Sequence, residues 1–410
     1  MRRRTPAVGR VRRDVRAGVL DASAFSMHVG LGESYFAAFV LALGGGQVAA
    51  GLVGTAPQLI GSALQLLAPA AVQAVGSLRR WVRLCTSTQA LCFAPLAAIA
   101  LAGGAPPWLV FVFASVYWAS GFGSGPAWST WMTTIIPGRA RARVFSRRSV
   151  YGNIAQLSGL VAGGLLLQYG SATDGVLLAF AAIFAAAGGL RLVSTYYLGR
   201  QSEPRPLPAD YRVVPLRELW QRVRSERDAR LIVYMVTVTA TAYTAAPFFT
   251  PFMLDVVRFN YLEYMVLIAA AFVARVIALP ALGRVAHGFG ARRLLAVGGV
   301  LIVPLPLLWV FSHSFWYLLV IQLLAGLAWA AYELAALLMT FETIREQDRT
   351  SLLTFFNFCN AVALLGGSLV GGGVLVALAG DERAYQVLYA FSTVARLATV
   401  LLLARVAGAR

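Results

Sequence analysis

The sequence predicts an all-α integral membrane protein with twelve transmembrane helices in two pseudo-symmetric six-helix bundles. Three observations carry that expectation. Of 410 residues, 59% are hydrophobic and only 13% charged, with a mean hydropathy of +0.71. A water-soluble domain averages about 25% charged residues. Apolar runs recur from residue 19 to the end, each near the roughly 20 residues that a helix needs to cross a bilayer. The runs are continuous rather than ten-residue alternations, which argues for helices over barrel strands.

Polar breaks divide the first half into spans 19–43, 47–75, 83–103, 107–136, 149–170 and 174–199. The second half gives 230–256, 260–283, 294–312, 314–341, 351–379 and 384–406. The first run follows an Arg-rich start but is too long for a signal peptide and carries Asp21, His28 and Glu33, so it reads as span one. Short breaks at Gly44-Gly45-Gly46 and Gly103-Gly104-Ala105-Pro106-Pro107 separate later spans. The longest polar stretch, 200–229, is Arg-rich with Pro204, Pro206 and Pro208 and lies at the midpoint. It predicts a bundle over 1–199, a cytoplasmic linker over 200–229 and a second bundle over 230–410.

A net charge of +18 invites a nucleic-acid reading, and the placement of the charge argues against it. All 35 basic residues are Arg; 30 fall in the termini and in connections on one side, and only Arg258 and Arg383 on the other. Positive loops stay cytoplasmic, so both termini are expected inside. No nucleic-acid partner is implied. An all-Arg, Ala/Gly/Leu-rich composition suggests a GC-rich bacterial genome, and the expected location is the inner membrane. Cys85, Cys92 and Cys359 lie within spans as small packing residues, without a disulfide framework.

A repeat supports two halves. Shifting by 207 residues places Asn153 on Asn360, Leu157 on Leu364, Gly159 on Gly366 and Gly164 on Gly371; shifting by 204 places Ala127-Trp128 on Ala331-Tyr332. Parallel halves of this kind mark a large transporter fold. The connection Gly283-Arg284-Val285-Ala286-His287-Gly288-Phe289-Gly290-Ala291-Arg292-Arg293 resembles the cytoplasmic loop signature G-x-L-A-D-R-x-G-R-R of the major facilitator superfamily. The signature's Asp is His287 here and its first Arg is Gly288. Gly76-Ser77-Leu78-Arg79-Arg80 is a shortened counterpart, and Pro126-Ala127-Trp128 through Arg147-Arg148 resembles a segment common in bacterial members. Gly159 with Gly163-Gly164 partly resembles the antiporter signature of span five, with Leu160 in place of its Pro. These glycines also make small-xxx-small faces that let helices approach closely. The resemblance implies alternating-access transport.

Ionisable groups inside spans cost roughly 2.5–3.5 kcal/mol each on insertion scales, so they line a cavity or pair with one another. Glu33, His28, Arg275, Glu333 and Arg396 qualify. An apolar setting favours a protonated carboxyl, so either glutamate suits proton exchange or a cationic solute group. Histidine suits proton sensing. The arginines suit an anionic group or a permanent Glu–Arg pair. Asp21 is expected to pair with a loop Arg, and Arg191 to reach the headgroups. Helix-breaking and aromatic residues in spans four, seven and ten, such as Tyr117, Trp118, Gly121, Gly123, Gly125 and Pro126 in span four and Pro247 and Pro251 in span seven, suggest interrupted helices and cavity walls, with Trp128, Tyr332 and Asn360 as further lining candidates. No His/Cys cluster, phosphate loop or catalytic grouping stands out, so no metal, cofactor or enzyme activity is expected. The expected function is proton-coupled secondary transport of a small organic solute. A lipid or lysolipid flippase and a non-transporting sensor are the alternatives.

Overall fold

Hydrocarbon offers no partner for backbone N–H and C=O groups, so a chain that crosses it satisfies them within helices or a closed barrel. The computed structural model describes residues 6–136, 138–203, 226–343 and 349–408, and these contain helices and no strand. The linker expected over 200–229 lies largely outside the described residues. Ten helices are long and apolar enough to cross a membrane, and Gly46–Gln65 with Ala68–Val75 adds an eleventh as one span bent by 54°. The remaining segment is span one, Pro6–Leu31 continued by a turn at Glu33–Tyr35 and by Phe36–Ala42. Its first turns carry Arg10, Arg12, Arg13, Asp14 and Arg16, which keeps it below that apolar threshold. With it, the described segments number twelve.

The other spans are Leu78–Leu101, Pro107–Ile135, Gly138–Ala172, Val176–Arg200, Glu226–Val256 (broken after Ala242), Tyr261–Phe289, Ala291–Leu308 (broken after Leu301), Phe315–Thr343, Arg349–Ala377 and Glu382–Gly408. The break at 44–46 turns on Gly44 and Gly46, whose positive φ values of 73° and 76° cost glycine nothing. Three expectations need correcting. Span four was expected to break at its glycines and Pro126, yet it runs unbroken through them; span ten is also continuous. Span five starts at Gly138 rather than 149, because Arg is a good helix former even where hydropathy falls. The loop signature is helical through Phe289, and only Gly290, at φ 87°, turns the chain.

The chain divides into two compact units: Met1–Gly45 with Ala56–Val213, and Gly46–Thr55 with Val214–Arg410. Each repeats one packing plan. In the first unit span one packs on five, two on four and three on six; in the second, seven on eleven, eight on ten and nine on twelve. Small residues set the closest crossings. A Cβ on Gly30 would strike the Gln156 carbonyl, and one on Gly159 the Met27 carbonyl. In the second unit the equivalent contacts are Gly367 on Ala240 and Gly371 on Thr244. The crossing thus pairs Gly159 with Gly367, one residue beyond the 207 shift. Gly366 instead faces open space.

Large apolar side chains cover the outside of both units, among them Leu91 (65% exposed) and Ile277 (71%). Such a surface suits lipid as its solvent. The interior of the first unit packs the rings of Phe36, Phe39, Phe93, Tyr117, Phe180 and Phe184 in tilted and edge-to-face contacts. Within the second unit, Gln47 of the short helix Gly46–Leu52 accepts the Tyr385 hydroxyl at 3.0 Å.

Candidate functional site

Span one stops being α-helical at Gly32, and Glu33 begins the 3-10 turn that follows. That break places the Glu33 carboxylate beside span four, where it accepts the Tyr117 hydroxyl at 2.6 Å. The same hydroxyl lies 3.0 Å from His28 Nε2, one and a half turns earlier on span one. His28 is fully buried, with Nδ1 on the Phe25 carbonyl and its ring against Phe93 and Tyr117. Two of the sequence candidates therefore meet through a tyrosine 84 residues further along.

A second chain of polar groups runs beside the first. Arg148 of span five pairs with Asp21 at 2.8 Å and donates to the Gly18 carbonyl at 2.6 Å. Ser194 donates to Asp21 at 2.7 Å and accepts from Arg191 at 2.8 Å. Arg191 also gives two bonds to the Gln89 carbonyl oxygen, one of them 3.0 Å from Nε, and lies over the Phe25 ring. Gln89 passes the connection on by donating to the Tyr117 backbone carbonyl at 3.1 Å. Arg191 was expected to reach the headgroups, but it is only 4% exposed. Its distance from the helix end invited that reading; the polar face of span three gives it an internal partner instead.

Members of both chains line one cavity of about 550 Å³ inside the first unit, with Asp21, Glu33, Gln89, Tyr117, Arg148 and Arg191 in its walls beside Trp128. The volume matches sites for small organic molecules. Trp128 sits in that wall with its ring under the Arg148 guanidinium, 4.6 Å from centroid to Cζ. The indole N–H groups of Trp118 and Trp128 are buried without a protein partner. No group of three or more His, Cys, Asp or Glu is placed to hold a metal among the described residues.

The remaining candidates lie in the second unit. Arg275 of span eight and Glu333 of span ten pair directly, with side chains 46% and 41% exposed. Tyr332 is a core residue, 6% exposed, packed on Tyr234 and Trp329. Asn360 accepts the Thr239 hydroxyl at 2.7 Å, tying span eleven to seven. Of the loop signature, Ala286 is buried in the core of the unit, Gly290 accommodates the turn, and Gly283, His287, Arg292 and Arg293 lie at its surface. Arg396, fully within span twelve, donates to the carbonyls of Ile302 at 2.8 Å and Ala242 at 3.2 Å. Those carbonyls close the broken halves of spans nine and seven.

Sequence reasoning gave Tyr117 and Trp118 only as aromatics of span four and Arg148 only as the end of a resembled segment, and it did not single out Gln89. One signal was available: Arg191 and Arg396 stand 205 residues apart, close to the repeat shift.

Twelve helical segments among the described residues, two units with one packing plan and a polar cavity within the helices define a duplicated polytopic membrane protein of transporter architecture. The Major Facilitator Superfamily model matches residues 23–273, and the chain belongs to that family. Among solved structures, a variant of the nucleoside transporter NupG is similar with a TM-score of 0.74 at 11% identity, covering 95% of this chain and 99% of that one. A bacterial homologue of the human lysosomal transporter Spinster, in an inward-facing, unoccupied conformation, gives a TM-score of 0.68 at 16% identity, covering 99% and 96%. These likenesses are to the fold. No curated protein sequence matches the chain.

Proposed function

We propose that the protein is a secondary transporter that carries a small polar organic solute across a bacterial inner membrane by alternating access, coupled to protons. The observation that carries this reading is the cavity of the first unit, with the His28–Tyr117–Glu33 chain in and beside its wall. The chain supports two arrangements. In one, both His28 nitrogens donate, to Phe25 and to Tyr117, and Tyr117 donates to ionised Glu33. In the other, protonated Glu33 donates to Tyr117, which donates to neutral His28. One proton stepping through the Tyr117 hydroxyl converts the first into the second; the two bonds at that hydroxyl survive with their directions reversed, and His28 Nδ1 donates to the Phe25 carbonyl in both. Such a pair can hold a proton from one side and release it to the other. The Arg distribution along the sequence supports cytoplasmic termini.

The test is uptake into proteoliposomes from a panel of small polar solutes under an imposed pH gradient. Gradient-driven uptake is expected in the native protein, lost in Glu33→Gln and slowed in Tyr117→Phe. Uptake indifferent to both the gradient and Glu33→Gln removes proton coupling. Lipid movement with no solute uptake moves the assignment to a flippase.

A further inference from the structure

We propose that the cavity of the first unit recognises a carboxylate, so that the solute is an organic acid anion seated on Arg191; this rests on the transport reading above. Charge is the first support. Asp21 is the one carboxylate bonded into the Arg148–Ser194–Arg191 chain, and its direct ionic partner is Arg148. Arg191 is held by the neutral acceptors Gln89 and Ser194, and among the described residues no carboxylate is paired with it directly. Glu33 is engaged by the Tyr117 hydroxyl instead. The chain of two guanidiniums and one carboxylate thus carries a formal charge of +1 inside a helical bundle. A guanidinium buried there calls for an anion, and its flat fork matches a carboxylate.

Hydrogen-bond inventory is the second support, independent of charge. Guanidinium has five N–H donors, and the three protein bonds of Arg191 leave two of them for a ligand. The Trp118 and Trp128 indoles add two buried donors with no partner in the protein. Indole nitrogen can only donate. The cavity therefore has donors to spare, the reverse of what an ammonium needs. Phe122 and the indole faces supply an apolar wall for the rest of the solute.

The test is binding to the purified full-length protein in detergent, read by calorimetry. Its probes are acetate, benzoate and 1-naphthoate, each with its matched amide and amine. At least one carboxylate is expected to bind about tenfold tighter than its amide, the gain of a charge-assisted over a neutral hydrogen bond. Arg191→Gln should erase that preference, and Arg191→Lys should keep part of it. If Arg191→Gln does not fold, Trp118→Phe with Trp128→Phe keeps an aromatic ring at each position, removes both donors, and should weaken the carboxylate several-fold. No binding by any carboxylate, equal binding of amide or amine, or a preference unmoved by these variants would overturn the assignment. Because binding is read without transport, a carboxylate site in a protein that moves nothing separates this inference from the transport reading.

Discussion

Adjacent glycines on span eleven offer a test in which one propensity term cancels. A Cβ added to Gly367 would fall on the Ala240 carbonyl and lie 3.1 Å from the Tyr243 carbonyl carbon, whereas one on Gly366 meets nothing within 4 Å. Both residues lie inside the helix Arg349–Ala377, and neither has positive φ. Alanine therefore gains about 1 kcal/mol of helix propensity over glycine at each position. The difference between Gly367→Ala and Gly366→Ala isolates the steric cost of the span seven crossing. Overpacking a filled contact costs about 1–3 kcal/mol, and the struck atoms here are backbone, which cannot swing aside as a side chain would. Gly366→Ala should be neutral to slightly stabilising, with Gly367→Ala about 1–3 kcal/mol below it. Denaturant unfolding followed by fluorescence in a fixed detergent measures both. If the two variants agree within about 0.5 kcal/mol, spans seven and eleven do not cross at this register, and the repeat of the Gly159–Met27 contact fails with it.

Three further outcomes follow from the polar contacts. Asp21→Asn leaves Arg148 without its carboxylate and Ser194 with a weaker acceptor; it should cost about 3 kcal/mol, and a double-mutant cycle with Arg148→Gln should show strong coupling. Additive effects there would break the ion pair as assigned. Arg275→Ala and Glu333→Gln remove a pair whose side chains are 46% and 41% exposed, so unfolding should shift by no more than about 1 kcal/mol while proteoliposome uptake falls. A loss of several kcal/mol would make the pair a structural clasp. Arg396→Met should raise hydrogen exchange around the breaks after Ala242 and Leu301 and leave the first unit unchanged; unaltered exchange at both breaks would remove Arg396 as their clamp.

Most of the span plan was legible because crossing hydrocarbon leaves a long apolar run, and Gly44-Gly45-Gly46 and Pro247 mark real breaks. Pro126 misled, since proline in a membrane helix is tolerated where neighbouring groups take over its lost bonds. The turn at Glu33 has no proline to announce it; Gly32 is the residue before it, and a Cβ there would meet Ala187 and Phe93 at 2.8 Å. The candidate site was legible only in part. Depth in a span marks Glu33 and His28 as unusual, but Tyr117 is ordinary by sequence until the fold brings it across 84 residues to Glu33. Arg191 shows the same limit: position predicted its depth, and only packing on Gln89 decides which way it points.

The two buried arginines show how a duplicated plan diverges. Arg191 and Arg396 occupy spans six and twelve, 205 residues apart, and both extend toward the third span of their unit. In the second unit spans seven and nine are both broken, and their exposed carbonyl ends take the guanidinium. A cation at a helix C-terminus is already in a favourable field, so backbone carbonyls balance the Arg396 charge, although its buried Nε meets no partner. Span three is unbroken over Leu78–Leu101 and presents the side chain of Gln89 instead. Gln89 and Ser194 are neutral acceptors, and the guanidinium they hold lines the cavity, whereas the Arg396 guanidinium sits on helix ends with its buried Nε unbonded. The same substitution should then have opposite readouts: methionine at 396 loosens helix ends, and methionine at 191 empties a binding cavity while the breaks of the second unit stay closed. Loss of ligand binding from Arg396→Met with none from Arg191→Met would reverse the roles given to the two units.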